Sequence, residues 1–247
     1  MERYHANQDK MELNKISTGE VPILIYSHSS YSDVWPLIFG QFEKYFSNSK
    51  IYLLTDEDPI QIKYPKIYYK NEQTYNERVI HCIMQLDIET FLFTHEDMPL
   101  YNIPNYFKLN QYIKYIENGK IDSVKLIFGG WHFKSKICSF DKSLSKNKLT
   151  RFSIQPTIIK KRTLISILSR YSASNLWKLE RKISKSWYHP YEEFACNLKG
   201  EKHGNHCDCS IYPYIATAIV KGKWNFEQYD ILKPMLDEYQ IRSRNYD

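Results

Sequence analysis

Short, uninterrupted apolar runs alternate with segments of helical period between Val21 and Gly130, and this alternation constrains the fold more than any other feature. Val21-Pro22-Ile23-Leu24-Ile25-Tyr26 reads as a strand buried on both faces. Behind it, Trp35, Ile38, Phe42, Tyr45 and Phe46 recur at helical spacing, with Pro36 in a first turn where its missing N–H is not needed. Ile51 to Asp56 reads as a second strand and Ile62 to Tyr69 as a third. Thr74-Tyr75-Asn76-Glu77 has the form of a capping box, and Val79, Cys82, Ile83 and Leu86 share one face of the helix it opens. Thr90 to Thr94 reads as a fourth strand. Pro104 opens a helix carrying Leu109, Tyr112, Ile113 and Ile116, which Asn118-Gly119 closes as a left-handed cap. Ile121 to Phe128 is strand-like and stops at Gly129-Gly130.

Strand, helix, strand, strand, helix, strand, helix, strand is the order of an α/β domain with a mixed, largely parallel sheet flanked by helices. Open sheets of this kind bind ligands beyond the carboxyl ends of their strands. Three polar clusters are expected there: Ser27 to Asp33, Thr55-Asp56-Glu57-Asp58, and His95-Glu96-Asp97. The second half is less regular. Phe152 to Ile159 reads as a strand, Thr163 to Arg170 and Leu176 to Ser184 as short helices, Ile211 to Val220 as strand-like, and Phe226 to Tyr239 as a closing helix. Gly129 to Thr150 and Tyr188 to Ser210 carry no readable period and are expected as loops. Residues 1–20 form a polar extension, 21–240 a single domain with halves 21–130 and 131–240, and 241–247 a tail whose end, from Arg242, is frayed.

Composition narrows the function classes. The chain has 247 residues, 34 Lys+Arg against 28 Asp+Glu and a net charge of +6, a modest excess for a dedicated nucleic-acid binder. No apolar run approaches the ~18–20 residues of a membrane span, and Met1 to Glu20 lacks the apolar core of a signal peptide. Five cysteines, an odd number spread along the chain, do not form a disulfide framework. A soluble cytoplasmic protein is the expectation, with contact at a membrane surface left open.

Glu96-Asp97 carries the sharpest chemical signal. Adjacent carboxylates at the end of a buried strand are costly to desolvate, and a hard divalent cation offsets that cost. A solvated turn with an N-capping aspartate is the plain alternative. His203, His206, Cys207 and Cys209 offer zinc-type ligands, but Cys-x-Cys is tighter than the usual pairing and a loop is expected instead. Trp131-His132-Phe133-Lys134 and the tyrosines could stack on sugar faces, or simply be core.

Taken together, several blocks resemble the nucleotide-sugar glycosyltransferases of GT-A fold, in particular small enzymes of bacterial surface-polysaccharide and large-virus glycan pathways. They are Tyr75-Asn76-Glu77-Arg78, then Thr90 to Met98, then Phe152-Ser153-Ile154-Gln155-Pro156-Thr157-Ile158-Ile159-Lys160-Lys161 with Asn175-Leu176-Trp177-Lys178-Leu179-Glu180. Tyr212-Pro213-Tyr214 and Val220-Lys221-Gly222-Lys223-Trp224 complete the series. The resemblance implies a GT-A-like, Rossmann-like domain. It departs in two places: His95 stands where the acidic motif usually begins, and Thr157-Ile158-Ile159 lacks a tryptophan often found there.

The resemblance also implies roles. Glu96 and Asp97 would hold a divalent cation, Mn²⁺ or Mg²⁺, on the diphosphate of a UDP-, GDP- or dTDP-sugar. Arg78, Lys221 and Lys223 would add positive charge to the same phosphates, Arg78 by a bidentate fork. Ser27, His28, Ser29 and Asp56 would form the nucleoside pocket. Glu180 is the candidate general base of an inverting transfer of a hexosyl or deoxyhexosyl group to an oligosaccharide or glycan acceptor, and Asp97 is the next candidate. For the lysines and Glu180 the plain alternative is a solvated charge, for Asp56 a turn, and for Arg78 a surface ion pair. Two other functions are alternatives: a basic, aromatic-rich nucleic-acid-binding module, disfavoured because the charges are scattered among acids, and a catalytically silent carbohydrate-binding domain.

Overall fold

The computed structural model describes residues 21–129, 136–146, 153–171, 176–186, 190–203 and 206–245. The N-terminal extension, Trp131 to Lys134, Phe152 and Asn175 lie outside the described residues. The first half runs β1 (Ile23–Tyr26), a 3₁₀ segment (Ser29–Val34), α1 (Trp35–Tyr45), β2 (Ile51–Thr55), β3 (Lys66–Tyr68), α2 (Tyr75–Met84), β4 (Thr90–His95), α3 (Tyr106–Glu117) and β5 (Ser123–Phe128). There follow β6 (Lys136–Ile137), β7 (Leu144–Lys146), β8 (Thr157–Lys160), α4 (Lys161–Arg170), α5 (Leu176–Ser184), β9 (Glu193–Cys196), β10 (Lys199–His203), β11 (His206–Cys209), β12 (Ile219–Val220), β13 (Lys223–Trp224) and α6 (Leu232–Glu238).

The main sheet has the order β3-β2-β1-β4-β8-β5-β9-β7-β6. The β1–β2, β2–β3, β1–β4 and β5–β9 pairs are parallel, and β8 runs antiparallel between β4 and β5. This is a mixed, largely parallel sheet, and β8 threads the later half of the chain between two strands of the earlier one. The chain moves outward from β1 to β3 and then returns to place β4 on the other side of β1. That reversal opens a crevice at the carboxyl ends of β1 and β4, the place where such sheets bind ligands. Tyr26 stands level with both Leu54 and His95, so Ser27, Thr55, Asp56 and Glu96 emerge at the same edge.

Period-2 alternation along β1 explains the layers. Ile23 and Ile25 join Trp35, Ile38 and Phe42 of α1 and Leu109, Tyr112 and Ile116 of α3 on one face. Leu24 and Tyr26 join Val79, Cys82 and Ile83 of α2, Leu164 and Ile167 of α4, and Leu179 and Ile183 of α5 on the other. A third cluster packs Tyr229, Leu232 and Leu236 against Val34 and Leu37. Among the described residues no helix is long and apolar enough to cross a membrane.

The capping box forms as expected: Thr74 Oγ1 accepts from Glu77 N–H while Glu77 Oε2 accepts from Thr74 N–H. Gly119 closes α3 at φ +72°, a conformation that favours glycine. Several expectations for the later half are corrected. The segment expected as a strand from Ile211 is irregular up to Ala218, because Pro213 interrupts any ladder. It instead lies along 97–101, with Ile215 N–H donating to Pro99 and Ala218 N–H to Asp97. The closing helix begins only at Leu232, which puts Pro234 in the first turn, where its lack of an N–H is harmless. The expected loops contain β6, β7 and β9 to β11, and His203, His206, Cys207 and Cys209 lie on the antiparallel β10–β11 pair. The expected frayed end is docked through residue 245. Ile241 is buried, Trp224 Nε1 donates to the Ser243 carbonyl, and Trp224 N–H donates to Asn245 Oδ1.

Candidate functional site

At the end of β2, Asp56 ties three segments together. Its Oδ1 accepts from Ser29 N–H at 2.7 Å, and its Oδ2 accepts from Ser29 Oγ at 2.8 Å and Asn71 Nδ2 at 3.0 Å. His28 Nε2 lies 3.3 Å from the same oxygen. Burial alone would raise this carboxyl, but Asn71 and the two donors of Ser29 hold it well below the usual carboxylate range. Ser27 is fully buried and faces inward: its hydroxyl accepts from Trp35 Nε1 at 2.7 Å, and its carbonyl accepts from Tyr69 Oη at 2.7 Å. Of the residues expected at the nucleoside, Ser27 therefore anchors the loop, while His28, Ser29 and Asp56 are bonded to one another at the end of β2.

Arg78 projects from α2 onto an aromatic shelf. Tyr26 and Tyr69 stack with centroids 5.3 Å apart, and the guanidinium lies 5.0 Å from the Tyr69 ring. It donates to the Gln73 carbonyl at 2.8 Å, to Tyr26 Oη at 3.4 Å and to the Asn71 carbonyl. Among the described residues it pairs with no carboxylate.

β4 delivers the acidic motif. His95 is buried, with Nε2 3.1 Å from Tyr75 Oη and Nδ1 3.2 Å from the Ile154 carbonyl. Burial drops its pKa to about 4, so the ring is neutral. A carbonyl can only accept, so Nδ1 carries the proton and Nε2 accepts from Tyr75. Both ring nitrogens are thus engaged away from the acids. Glu96 is buried and Asp97 half-buried. Burial, and then the adjacent Asp97 charge, raise the Glu96 carboxyl well above its ordinary value; burial brings Asp97 up to about 7. Among the described residues no lysine or arginine forms an ion pair with either. Two hard oxygen ligands without a cationic partner fit a divalent cation. No group of three or more His, Cys, Asp or Glu able to hold a metal occurs among the described residues, the His203–Cys209 hairpin included. Among the described residues no third ligand of this kind joins Glu96 and Asp97.

Arg244, which sequence reasoning placed in the tail, lies beside this pair. Its Nε and Nη2 make a bidentate contact with Asp33, both at 2.8 Å, and its guanidinium lies 4.7 Å from the Tyr31 ring. It also donates to the Ser30 and Gly222 carbonyls, at 3.3 and 3.2 Å. Its charge is felt by Glu96. Through Gly222, Arg244 draws the β12–β13 hairpin toward the end of β1. Lys221 and Lys223 are exposed on that hairpin, with Lys221 at φ +51° and Gly222 at φ +79° forming its turn. Ala218, just before it, is bonded to the Asp97 carbonyl at 2.9 Å.

Glu180 is half-buried on the inner side of α5, and its Oε1 accepts from Ile154 N–H at 2.8 Å. Burial raises its pKa, opposed by that bond and by the charge of Lys125. Lys125 is itself buried in a 3.2 Å ion pair with Glu193. Burial raises the Tyr75 phenol well above its ordinary value, and the charges of Glu180 and Glu96 add to the rise. The structure thus gathers Glu96, Asp97, Asp56, Ser29, Arg78 and Glu180 at one edge of the sheet and brings the Lys221–Lys223 hairpin up to it.

No family model matches the chain, and no curated protein matches it in sequence. Among solved structures it is similar to S. aureus TarS 1-349 in complex with UDP, at 13% identity and a TM-score of 0.48 over 88% of this chain and 65% of that one. It is similar to the apo-form glycosyltransferase GlyE of Streptococcus pneumoniae TIGR4, at 12% identity and a TM-score of 0.45 over 70% of this chain and 44% of that one. A197 from STIV matches at 12% identity and a TM-score of 0.41, over 73% of this chain and 83% of that one. The chain therefore spans less than two thirds of the TarS and GlyE chains.

Proposed function

We propose that this chain is a nucleotide-sugar-dependent glycosyltransferase that moves a hexosyl or deoxyhexosyl group to a saccharide acceptor, with inversion, in the synthesis of a surface glycan. The observation that carries the reading is the Glu96–Asp97 pair at the switch point of the sheet: two carboxyls raised by burial, neither in an ion pair with Lys or Arg among the described residues. A divalent cation held by Glu96 and Asp97 would neutralise charge on the departing diphosphate. Arg78, held on its tyrosine shelf, would add positive charge to the same phosphates, and Lys221 and Lys223 would extend that positive edge. His28, Ser29 and Asp56 would position the nucleoside. Glu180, with a raised pKa and one oxygen not used by Ile154, would take the proton from the acceptor hydroxyl.

The test is a thermal-shift panel with UDP, GDP, CDP and dTDP, each with and without Mn²⁺. A ligand at about 100 times its Kd adds roughly 2.7 kcal/mol, which for a chain of this size raises Tm by about 5–10 °C. A shift with one nucleotide, larger with Mn²⁺ and lost in Asp97→Asn, supports the reading and names the donor class. No shift with any of them removes it.

A further inference from the structure

The positive excess is concentrated in one segment of the chain, not scattered among acids throughout as expected above. Between Lys161 and Ser186 there are seven Lys and Arg and a single acid, Glu180, a balance of +6 that equals the net charge of the whole protein. The rest of the sequence is neutral. α4 and α5, with Lys185 just past the end of α5, carry this excess, and both helices pack on the same face of the sheet, through Leu164 and Ile167 in one and Leu179 and Ile183 in the other.

The buried side of α5 fixes what its other side shows. Leu179 and Ile183 are in the core and Glu180 is bonded inward to Ile154. Trp177, Lys178, Arg181 and Lys182 are exposed, and Lys185 continues the stripe just past the helix end. Their spacing of one, three, one and three residues keeps them on one side of the helix over roughly 12 Å. Trp177 is 76% exposed, the largest exposure among the exposed large apolar side chains, and it sits at the head of the cationic stripe. Arg162 on α4 is exposed as well. The sole acid of the segment faces away from this surface.

We propose that the α4–α5 face docks on the anionic headgroups of a lipid bilayer. A line of long-stemmed cations with one tryptophan matches an interfacial helix: the charges meet anionic headgroups, and the indole inserts at the boundary where one edge is apolar and the other wet. Binding of single-stranded nucleic acid relies on successive stacking aromatics, whereas among the described residues of α4 and α5 Trp177 is the one exposed aromatic. The face and the proposed active site share α5, which directs Glu180 inward and Trp177 outward. The docking inference does not depend on the glycosyl-transfer reading.

The test is co-sedimentation of the full chain with vesicles of phosphatidylcholine alone and of phosphatidylcholine mixed with phosphatidylserine. Retention on the anionic vesicles only, released by added salt, is expected. Reversing three exposed charges together, Arg162→Glu, Arg181→Glu and Lys185→Glu, should lower partitioning by about 100-fold while leaving the far-UV circular dichroism unchanged. Trp177→Ala should weaken binding at constant charge, and reversal at Lys44 and Lys63, on a different part of the surface, should not. Equal retention on both vesicle types, no retention on either, or full retention of the triple variant would overturn the proposal. So would a single-stranded oligonucleotide that binds while anionic vesicles do not.

Discussion

Glu180 and His95 hold opposite sides of one residue: Glu180 Oε1 accepts the Ile154 N–H at 2.8 Å, and His95 Nδ1 donates to the Ile154 carbonyl at 3.2 Å. Residue 154 leads into β8, which runs beside β4, so the carboxylate on α5 is positioned relative to the end of β4 through a single backbone unit. The histidine at the head of the acidic motif therefore acts as a strut. Its neighbours Glu96 and Asp97 remain available for chemistry.

Glu180→Gln separates the two jobs of this side chain. A glutamine carbonyl still accepts from Ile154, so Tm should change little, whereas a glutamine cannot take a proton. Turnover with the donor identified by thermal shift should fall by about 10²- to 10⁴-fold, with the nucleotide-induced Tm shift preserved. Wild-type turnover in this variant would transfer the base role to Asp97.

His95→Phe conserves bulk but leaves Tyr75 Oη and the Ile154 carbonyl without their partner. Each such loss costs about 1–3 kcal/mol, so urea unfolding should show a decrease of roughly 2–6 kcal/mol. The wild type carries a pH signature of the same residue. Burial holds the folded pKa at about 4, below the unfolded value of about 6.5, so in that interval the unfolded state binds the extra proton. The His95 contribution should make wild-type stability rise from pH 4 to about 6.5, and the variant should lack that component.

These relationships mark how far the sequence could be read. The capping box at Thr74 and Glu77 and the Gly119 cap were legible because their physics is local. Glu96 and Asp97 were legible because the apolar run of β4 ends just before them, which fixes their place at the sheet edge. Glu180 could be singled out as a candidate, but not its bond to Ile154, which spans 26 residues. Arg244 was missed because its partner, Asp33, lies 211 residues away and neither has a local pattern around it. β9 and β11 were missed for a related reason: Glu193 and Asp208 are polar residues buried within short strands, and the groups they meet, Lys125 and Tyr101, come from elsewhere in the chain.

Asp56 should give a pH dependence of opposite origin. The donors of Asn71 and Ser29 keep its folded pKa below the unfolded value of about 4. The stability they supply is fully present above about pH 4 and is lost as acidification passes through the folded value. Asp56→Ala should cost about 2–3 kcal/mol at pH 7, the range for hydrogen bonds to a charged group, and the gap to wild type should narrow steadily below about pH 4. Chemical denaturation at a series of pH values measures this directly; a constant gap would mean that Asp56 acts through packing rather than charge.

Arg244→Ala tests whether the C-terminal segment belongs to the site. The substitution removes a bidentate pair with Asp33 and two bonds to backbone carbonyls, one of which, Gly222, lies in the hairpin bearing Lys221 and Lys223. Asp33 would be left as a half-buried carboxylate without its cation, at a cost of about 1.5–3 kcal/mol. Ile241 and Trp224 would still hold the segment to the third apolar cluster, so unfolding should remain cooperative. Amide exchange should accelerate in residues 219–224 and 29–34 together, and the nucleotide-induced Tm shift should shrink as the hairpin lysines lose their tether. Faster exchange at the C-terminus alone would show that Arg244 secures the tail without positioning the hairpin.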